Sequence, residues 1–252
     1  MARAPAQIRI GTSGFSYKEW LGRFYPSDLK GPKMLAYYAT RLKTVEINYT
    51  FRQMPRRELL ERWASETPAD FRFALKAPQR ITHQARLRGV DDAVDRFATL
   101  AAAMGDRLGP VLFQLPPGLK RDLPLLSGFL AFAAEKMRLV FEFRDQSWFD
   151  DTVFEELRKH GAAFCIGETE HIPEPPLIRT APLAYLRLRK DEYDGAALAR
   201  WAARIRELAR DGGEVSAYFR HGETAPDLAA RLISLLEEPA AAEPARAPQK
   251  SK

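Results

Sequence analysis

Eight short runs rich in β-branched and aromatic residues recur along this 252-residue chain, and all but the sixth are followed by a stretch with helical spacing. They are Ile8 to Gly11, Thr44 to Asn48, Phe71 to Lys76, Val111 to Leu115, Leu139 to Arg144, Ala162 to Gly167, Ala184 to Arg189 and Val215 to Arg220. Between them apolar residues fall three and four apart, as in Val94, Phe97, Ala101 and Met104, or Leu198, Trp201, Ile205 and Leu208. That spacing gives each helix one apolar face. Strands alternating with such helices predict βα units around a parallel sheet. An open doubly wound sheet shares the alternation, but eight units select a closed (β/α)8 barrel, the TIM barrel of the α/β class, and the length suits one.

Punctuation agrees with this division. Gly105, Gly161 and Gly212 follow helical runs where left-handed caps belong, and Thr224-Ala225-Pro226-Asp227 opens the last helix with a cap and an early proline. Only the sixth crossover is irregular, because His171-Ile172-Pro173-Glu174-Pro175-Pro176 leaves room for a short helix at most. The expected organisation is a flexible start at residues 1–7, one barrel domain at 8–238 and a disordered Ala/Pro/Lys tail at 239–252.

The single Cys165 lies in an apolar run, which excludes a disulfide scaffold and points to a buried thiol and a reducing compartment. No stretch approaches the roughly 18 uncharged residues of a membrane helix, and Met1 to Gln7 lacks the apolar middle of a secretion signal. The expected location is the cytoplasm, with no membrane partner. A formal charge of +6 favours anionic partners, either small molecules or nucleic acid. Nothing in the pattern sets an oligomeric state.

Barrel active sites lie at the C-terminal strand ends, and here those ends are crowded with polar groups. Strand two ends in Glu46 and Asn48, strand three in Lys76, strand four in Gln114, and strand five in Glu142 and Arg144. Strand seven supplies Arg187 and Arg189, and strand eight Arg220 followed by His221. Alternation puts Glu46 with Asn48, and Glu142 with Arg144, opposite Val45, Ile47, Phe141 and Phe143, so the charged set points inward if the apolar set meets the helices. Unpaired, each buried charge would cost several kcal/mol, so these groups pair with each other, a ligand or water. A self-satisfied salt-bridge network at the barrel mouth is the competing reading to a functional pocket.

Loops at the same end carry Phe15, Tyr17, Trp20, Phe24, Tyr25, Phe51, Trp148, Phe149 and Tyr193 among Lys18, Arg23, Arg52 and Lys190. At least half of these aromatics are expected to be ordinary loop packing; Trp20 and Trp148 are singled out as stacking surfaces. Gly11-Thr12-Ser13-Gly14 reads as a tight turn offering Ser13 and backbone N–H groups to an anion. Without a Walker or dinucleotide fingerprint it implies no cofactor. His83, His221, Glu46, Glu142, Glu168, His171 and Glu223 lack a metal-ligand spacing, so no metal is expected, and no Gly-x-Ser-x-Gly elbow marks a serine nucleophile. Asn48-Tyr49-Thr50 is an incidental glycosylation sequon.

Several motifs together resemble the DUF72 family, also called YecE-like. They are Gly11-Thr12-Ser13-Gly14-Phe15-Ser16-Tyr17 with Trp20 and Phe24-Tyr25-Pro26, Val45-Glu46-Ile47-Asn48 with Thr50-Phe51, and Phe73-Ala74-Leu75-Lys76-Ala77-Pro78 with Ile81-Thr82-His83. Gly109-Pro110-Val111-Leu112-Phe113-Gln114-Leu115-Pro116 and Glu142-Phe143-Arg144 with Ser147-Trp148-Phe149 complete the set. The resemblance implies a TIM barrel of uncharacterised activity. The chain departs from the family pattern at two strand ends, Leu186-Arg187-Leu188-Arg189 and Tyr218-Phe219-Arg220-His221-Gly222-Glu223.

The function expected from these residues is non-redox acid/base chemistry on an anionic, phosphorylated or nucleotide-like substrate, as in a hydrolase or isomerase. Glu46, Lys76 and Glu142 are the candidate catalytic groups. Ser13, Tyr17, Trp20, Asn48, His83, Gln114, Arg144, Trp148, Arg187 and His221 are the candidate binding groups. The alternatives are a nucleic-acid-binding, nuclease-like protein with a steep salt dependence and a non-catalytic metabolite binder.

Overall fold

A computed structural model of the chain describes residues 6–168 and 175–238. All eight β-runs are strands: β1 (Gln7–Ser13), β2 (Thr44–Ile47), β3 (Arg72–Lys76), β4 (Leu108–Gln114), β5 (Leu139–Glu142), β6 (Ala163–Glu168), β7 (Leu183–Leu188) and β8 (Glu214–Phe219). They pair in parallel and in sequence order, and β8 closes on β1 through the register Gln7↔Glu214 to Thr12↔Phe219. Gln7 therefore belongs to the sheet, one residue before the expected start of the barrel. Residues 1–5 and the tail at 239–252 lie outside the described residues, as does His171 to Glu174, and the described remainder of the sixth crossover, 175–182, contains no helix.

Strand alternation divides the side chains between two cores. Val45, Ile47, Phe73, Leu75, Phe113 and Phe141 join the apolar faces of the helices in the larger one. Ala74, Leu112, Val140, Ala163, Cys165, Leu183, Tyr185 and Tyr218 form a separate cluster that fills the barrel interior. Two residues further along, on the same side of each strand, stand Lys76, Gln114, Glu142, Gly167 and Arg187. The polar layer is thus the next storey of one continuous interior, floored by apolar residues.

The helices that cover the barrel are α1 (Met34–Arg41), the single turn α2 (Tyr49–Arg52), α3 (Arg57–Ser65), α4 (Asp91–Ala101), α5 (Leu123–Ala133), α6 (Asp151–Lys159), α7 (Gly195–Leu208) and α8 (Ala225–Glu237). Asp122, Asp150 and Asp194 cap α5, α6 and α7 by accepting from the N–H groups of Leu125, Thr152 and Ala197. Thr224 stands at the N-cap of α8 with a proline in the first turn, but its hydroxyl makes no capping bond. Among the described residues no helix is long and apolar enough to cross a membrane.

Gly11 corrects the reading of the first loop. It lies inside β1, where a Cβ would fall 2.1 Å from the Thr44 carbonyl oxygen, so its role is the close approach of β1 to β2 and not a turn. Gly14, at φ +89°, makes the turn, and a Cβ there would strike the Tyr17 ring.

Candidate active site

The floor of the barrel mouth is a bidentate ion pair. Arg187 on β7 donates from Nε and Nη2 to the two oxygens of Glu46 on β2, each at 2.8 Å, and from Nη1 to Glu142 on β5 at 2.5 Å. Glu46 also accepts from Ser13 Oγ and Tyr185 Oη at 2.8 Å, and from Asn48 Nδ2 at 3.4 Å. Its side chain is wholly buried and Arg187 is 1% exposed. Burial opposes ionisation of Glu46, yet the guanidinium groups of Arg187 and Arg189 outweigh it and hold the carboxyl at about 2. With both oxygens filled, Glu46 is a fixed anion below the mouth. This geometry does not suit the proton-transfer role expected of it, and Arg187, equally committed, has no reach toward a ligand.

Around this pair, on the same level of the barrel, the groups are less committed. Gln114 on β4 donates through Nε2 to Glu142 Oε2 at 2.9 Å and accepts from Lys76 Nζ through Oε1 at 2.8 Å, so it joins a carboxylate from β5 to an ammonium from β3. Arg187 and Gln114 both use Oε2 of Glu142, which leaves Oε1 without a hydrogen bond among the described residues. Beside that oxygen is Gly167 on β6, where an added Cβ would sit at 3.6 Å. Burial again works against ionisation of Glu142, and Arg187 and Arg189 override it, keeping the carboxyl below its ordinary range.

Lys76 is 9% exposed, and its Nζ sits 3.8 Å from the centre of the Phe51 ring, which α2 places over it. Burial and the neighbouring Arg187 charge lower its pKa to about 8. His83 meets Phe51 edge-on at 4.9 Å, and its Nδ1 shares a hydrogen bond with Thr82 Oγ1 at 2.9 Å. Burial, Lys76 and Arg144 hold His83 below its usual range, which favours the neutral imidazole. The helical turn that carries it, Arg80–Gln84, leads into Arg86 and Leu87, two non-glycine residues with positive φ of 50° and 67°.

On the opposite side Arg189 follows Arg187 by two residues. It donates from Nη1 to Ser13 Oγ at 3.2 Å, and its nearest carboxylate oxygen, on Glu46, is 4.0 Å away. Most of its fork is uncommitted among the described residues, and its side chain is 21% exposed. Arg144 makes no ion pair or side-chain hydrogen bond among the described residues, and its charge is felt at His83. Tyr17 donates to the Ser13 carbonyl at 2.9 Å and stacks on His221, ring centres 5.3 Å apart at 11°.

The expected stacking surfaces are absent from this layer. Trp20 and Trp148 are fully buried, with indole N–H groups on the carbonyls of Gly222 at 2.8 Å and Leu119 at 2.7 Å. Trp148 stacks on Phe143 at 4.7 Å. Both indoles pin loops to the barrel and offer no face to a ligand. In their place the structure adds Arg189, Tyr185, Phe51 and Gly167 to the sequence-derived set. Arg189 and Tyr185 share the parity of Arg187, and that signal was present in the alternation.

A cleft of about 570 Å³ lies apart from this layer, between Phe15, Leu35, Tyr49, Leu59 and Trp63. Its charged lining, Arg62 and Glu66, is spent on its own pair at 3.9 Å. Among the described residues no three of His, Cys, Asp and Glu gather into a metal-holding group, and His171 lies outside them.

This barrel is similar to known proteins in both sequence and shape. The family model for the protein of unknown function DUF72 matches residues 9–252. The UPF0759 protein YecE of Escherichia coli (strain K12) is 34% identical over 143 residues, which are 56% of this chain and 50% of that protein, so the match spans about half of that relative. A DUF72 family protein of Thermotoga maritima has the same fold with a TM-score of 0.81 at 27% identity, covering 92% of this chain and all of that one. A second, from Enterococcus faecalis, is 18% identical with a TM-score of 0.78 over 92% of this chain and 96% of that one. With its eight-stranded barrel and a family match that runs from β1 onward, the chain belongs to the DUF72 family.

Proposed function

We propose that this chain is a non-redox enzyme that binds a small anionic substrate across the barrel mouth and moves protons on it. The observation that carries the reading is the unused Oε1 of Glu142, which sits beside Gly167 in a layer shared with Lys76, Arg187 and Glu46, with Arg189 and Arg144 two residues further along from Arg187 and Glu142. A carboxylate with one oxygen anchored and the other open is a positioned general base. Arg189 and Arg144, cations with uncommitted donors, complement an anionic group such as a phosphate or carboxylate.

In this reading Glu142 takes the proton, Gln114 fixes its distance to Lys76, the Lys76 ammonium is the nearby group able to return one, and His83 can relay it. Glu46, Arg187, Tyr185 and Ser13 hold the floor in place and do not touch substrate. A self-satisfied network accounts for Glu46 and Arg187; it does not account for the open oxygen or for Arg189.

The test is a panel of phosphorylated and carboxylated metabolites, screened by thermal shift and then for turnover. Glu142→Gln keeps ligand binding and loses turnover by about 10²-fold or more, as removal of a general base does, while Arg189→Gln weakens binding. Turnover unchanged in Glu142→Gln overturns the reading.

A further inference from the structure

We infer that Lys76 is a carbonyl-condensing amine, so the substrate class is a small anionic aldehyde or ketone held as an imine on Nζ. The inference rests on the barrel mouth being the active site and names what the site takes.

A buried lysine with a structural role ordinarily has a carboxylate partner, because an isolated ammonium out of water is costly. Arg187 meets that rule twice over, with Glu46 and Glu142. Lys76 does not meet it. Among the described residues its Nζ has no carboxylate oxygen within ion-pair distance, and its hydrogen bond goes to the neutral carbonyl of Gln114 at 2.8 Å. An amide oxygen accepts from a neutral amine as well as from an ammonium, so the contact survives loss of the proton. The Phe51 ring lies against Nζ at 3.8 Å and offers a flat apolar surface to a trigonal carbon.

The surroundings also favour the free base. A lysine at about 8 carries its amine form in useful amount at neutral pH, whereas an ordinary lysine at 10.5 does not. Proton carriers flank it: Glu142 lies across Gln114, and His83 lies against the same Phe51 ring. The remaining donors of Arg189, beyond its bond to Ser13, and those of Arg144 are available for an anionic tail.

The step balances without a further reactant. The Nζ lone pair forms a bond to the carbonyl carbon as the C=O π pair moves to oxygen, and one N–H proton passes to that oxygen through Glu142, giving a carbinolamine. The nitrogen lone pair then forms C=N as the hydroxyl leaves with the second proton as water. Hydrolysis reverses the same path.

Trapping tests the inference in the full-length protein. The chain is incubated at pH 7 with glyceraldehyde 3-phosphate, or with glyceraldehyde, and sodium cyanoborohydride, and the reduced adducts are located by peptide mapping. Lys76 labels about tenfold or more faster than the exposed Lys120 and Lys159, which lack its Gln114 and Phe51 surroundings, and the phosphorylated aldehyde labels it faster than the neutral one. Comparing lysines within one native sample requires no variant to fold. Lys76 labelling no faster than the surface lysines overturns the inference. If that happens while Glu142→Gln still removes turnover, the proton-transfer reading stands and the imine alone falls; Lys76 trapped in Glu142→Gln supports the imine independently of turnover.

Discussion

Arg187 and Glu46 meet edge to edge, Nε and Nη2 against the two carboxylate oxygens at 2.8 Å, with essentially no exposure of either side chain. This pairing joins β2 to β7 across the interior, and through Nη1 it reaches Glu142 on β5. One guanidinium therefore sets the relative positions of three strand ends, and the more open groups around it inherit that geometry.

Replacing Arg187 with methionine leaves two buried carboxylates without their counter-ion and destabilises the protein by about 3–5 kcal/mol. Arg187→Lys recovers little, because an ammonium cannot reproduce the planar fork. Urea unfolding of the two variants checks this; a lysine variant as stable as the parent would refute the bidentate account.

Lys76 and Glu46 give stability pH dependences at opposite ends of the scale. The folded pKa of Lys76, about 8, is below the ordinary 10.5, so its ammonium is a burden on the fold below 8 that is relieved as pH rises toward 10.5. The stability of the parent minus that of Lys76→Met therefore increases between pH 8 and 10.5. Glu46, held at about 2 against an ordinary 4.5, contributes stability that is full above 4.5 and lost as pH falls toward 2. Unfolding curves at stepped pH read both, and a flat difference for Lys76→Met would count against its depressed pKa.

Gly167 keeps the space beside Glu142 Oε1. A single Cβ there makes ordinary contact at 3.6 Å, so Gly167→Ala is tolerated in both folding and turnover. Gly167→Leu fills the space and loses turnover with a far smaller effect on the melting temperature. Equal activity in the two variants would place the reacting atoms elsewhere.

Trp20→Phe and Trp148→Phe each strand a carbonyl that had a buried donor, at about 1–3 kcal/mol of stability, with no change in ligand affinity. Arg189→Gln has the reverse signature: small in stability, large in affinity for an anion. Calorimetry and ligand titration on the three variants separate the roles, and a weakened ligand in either tryptophan variant would return the indoles to the site.

The barrel was legible because period-two alternation and eight repeats leave little choice, and the same parity put Glu46, Lys76, Gln114 and Glu142 on the inner face. Depth was harder to read. Arg187 and Arg189 share a face and differ only by two residues along β7, about 6–7 Å of strand, yet one is sealed into the floor and the other is partly open. Which carboxylate keeps a free oxygen depends on how strands distant in sequence are staggered around the barrel, and no local pattern carries that. The tryptophans misled for a related reason: an indole in a loop reads the same whether its N–H meets a ligand or a carbonyl. Gly11 reads as part of a turn because its neighbour across the sheet, Thr44, is invisible along the chain.

Cys165, the sole cysteine, stands in the barrel interior with a thiol whose pKa burial pushes up, one storey below the polar layer. A thiol so placed meets a reagent only when the staves of the barrel part. The molecule thus carries its own clock: the labelling rate of Cys165 in native buffer counts barrel openings, and any compound that binds at the mouth and ties the strands together slows that clock in proportion to its occupancy. Ligands can then be sought by watching one sulfur atom, before any reaction is known.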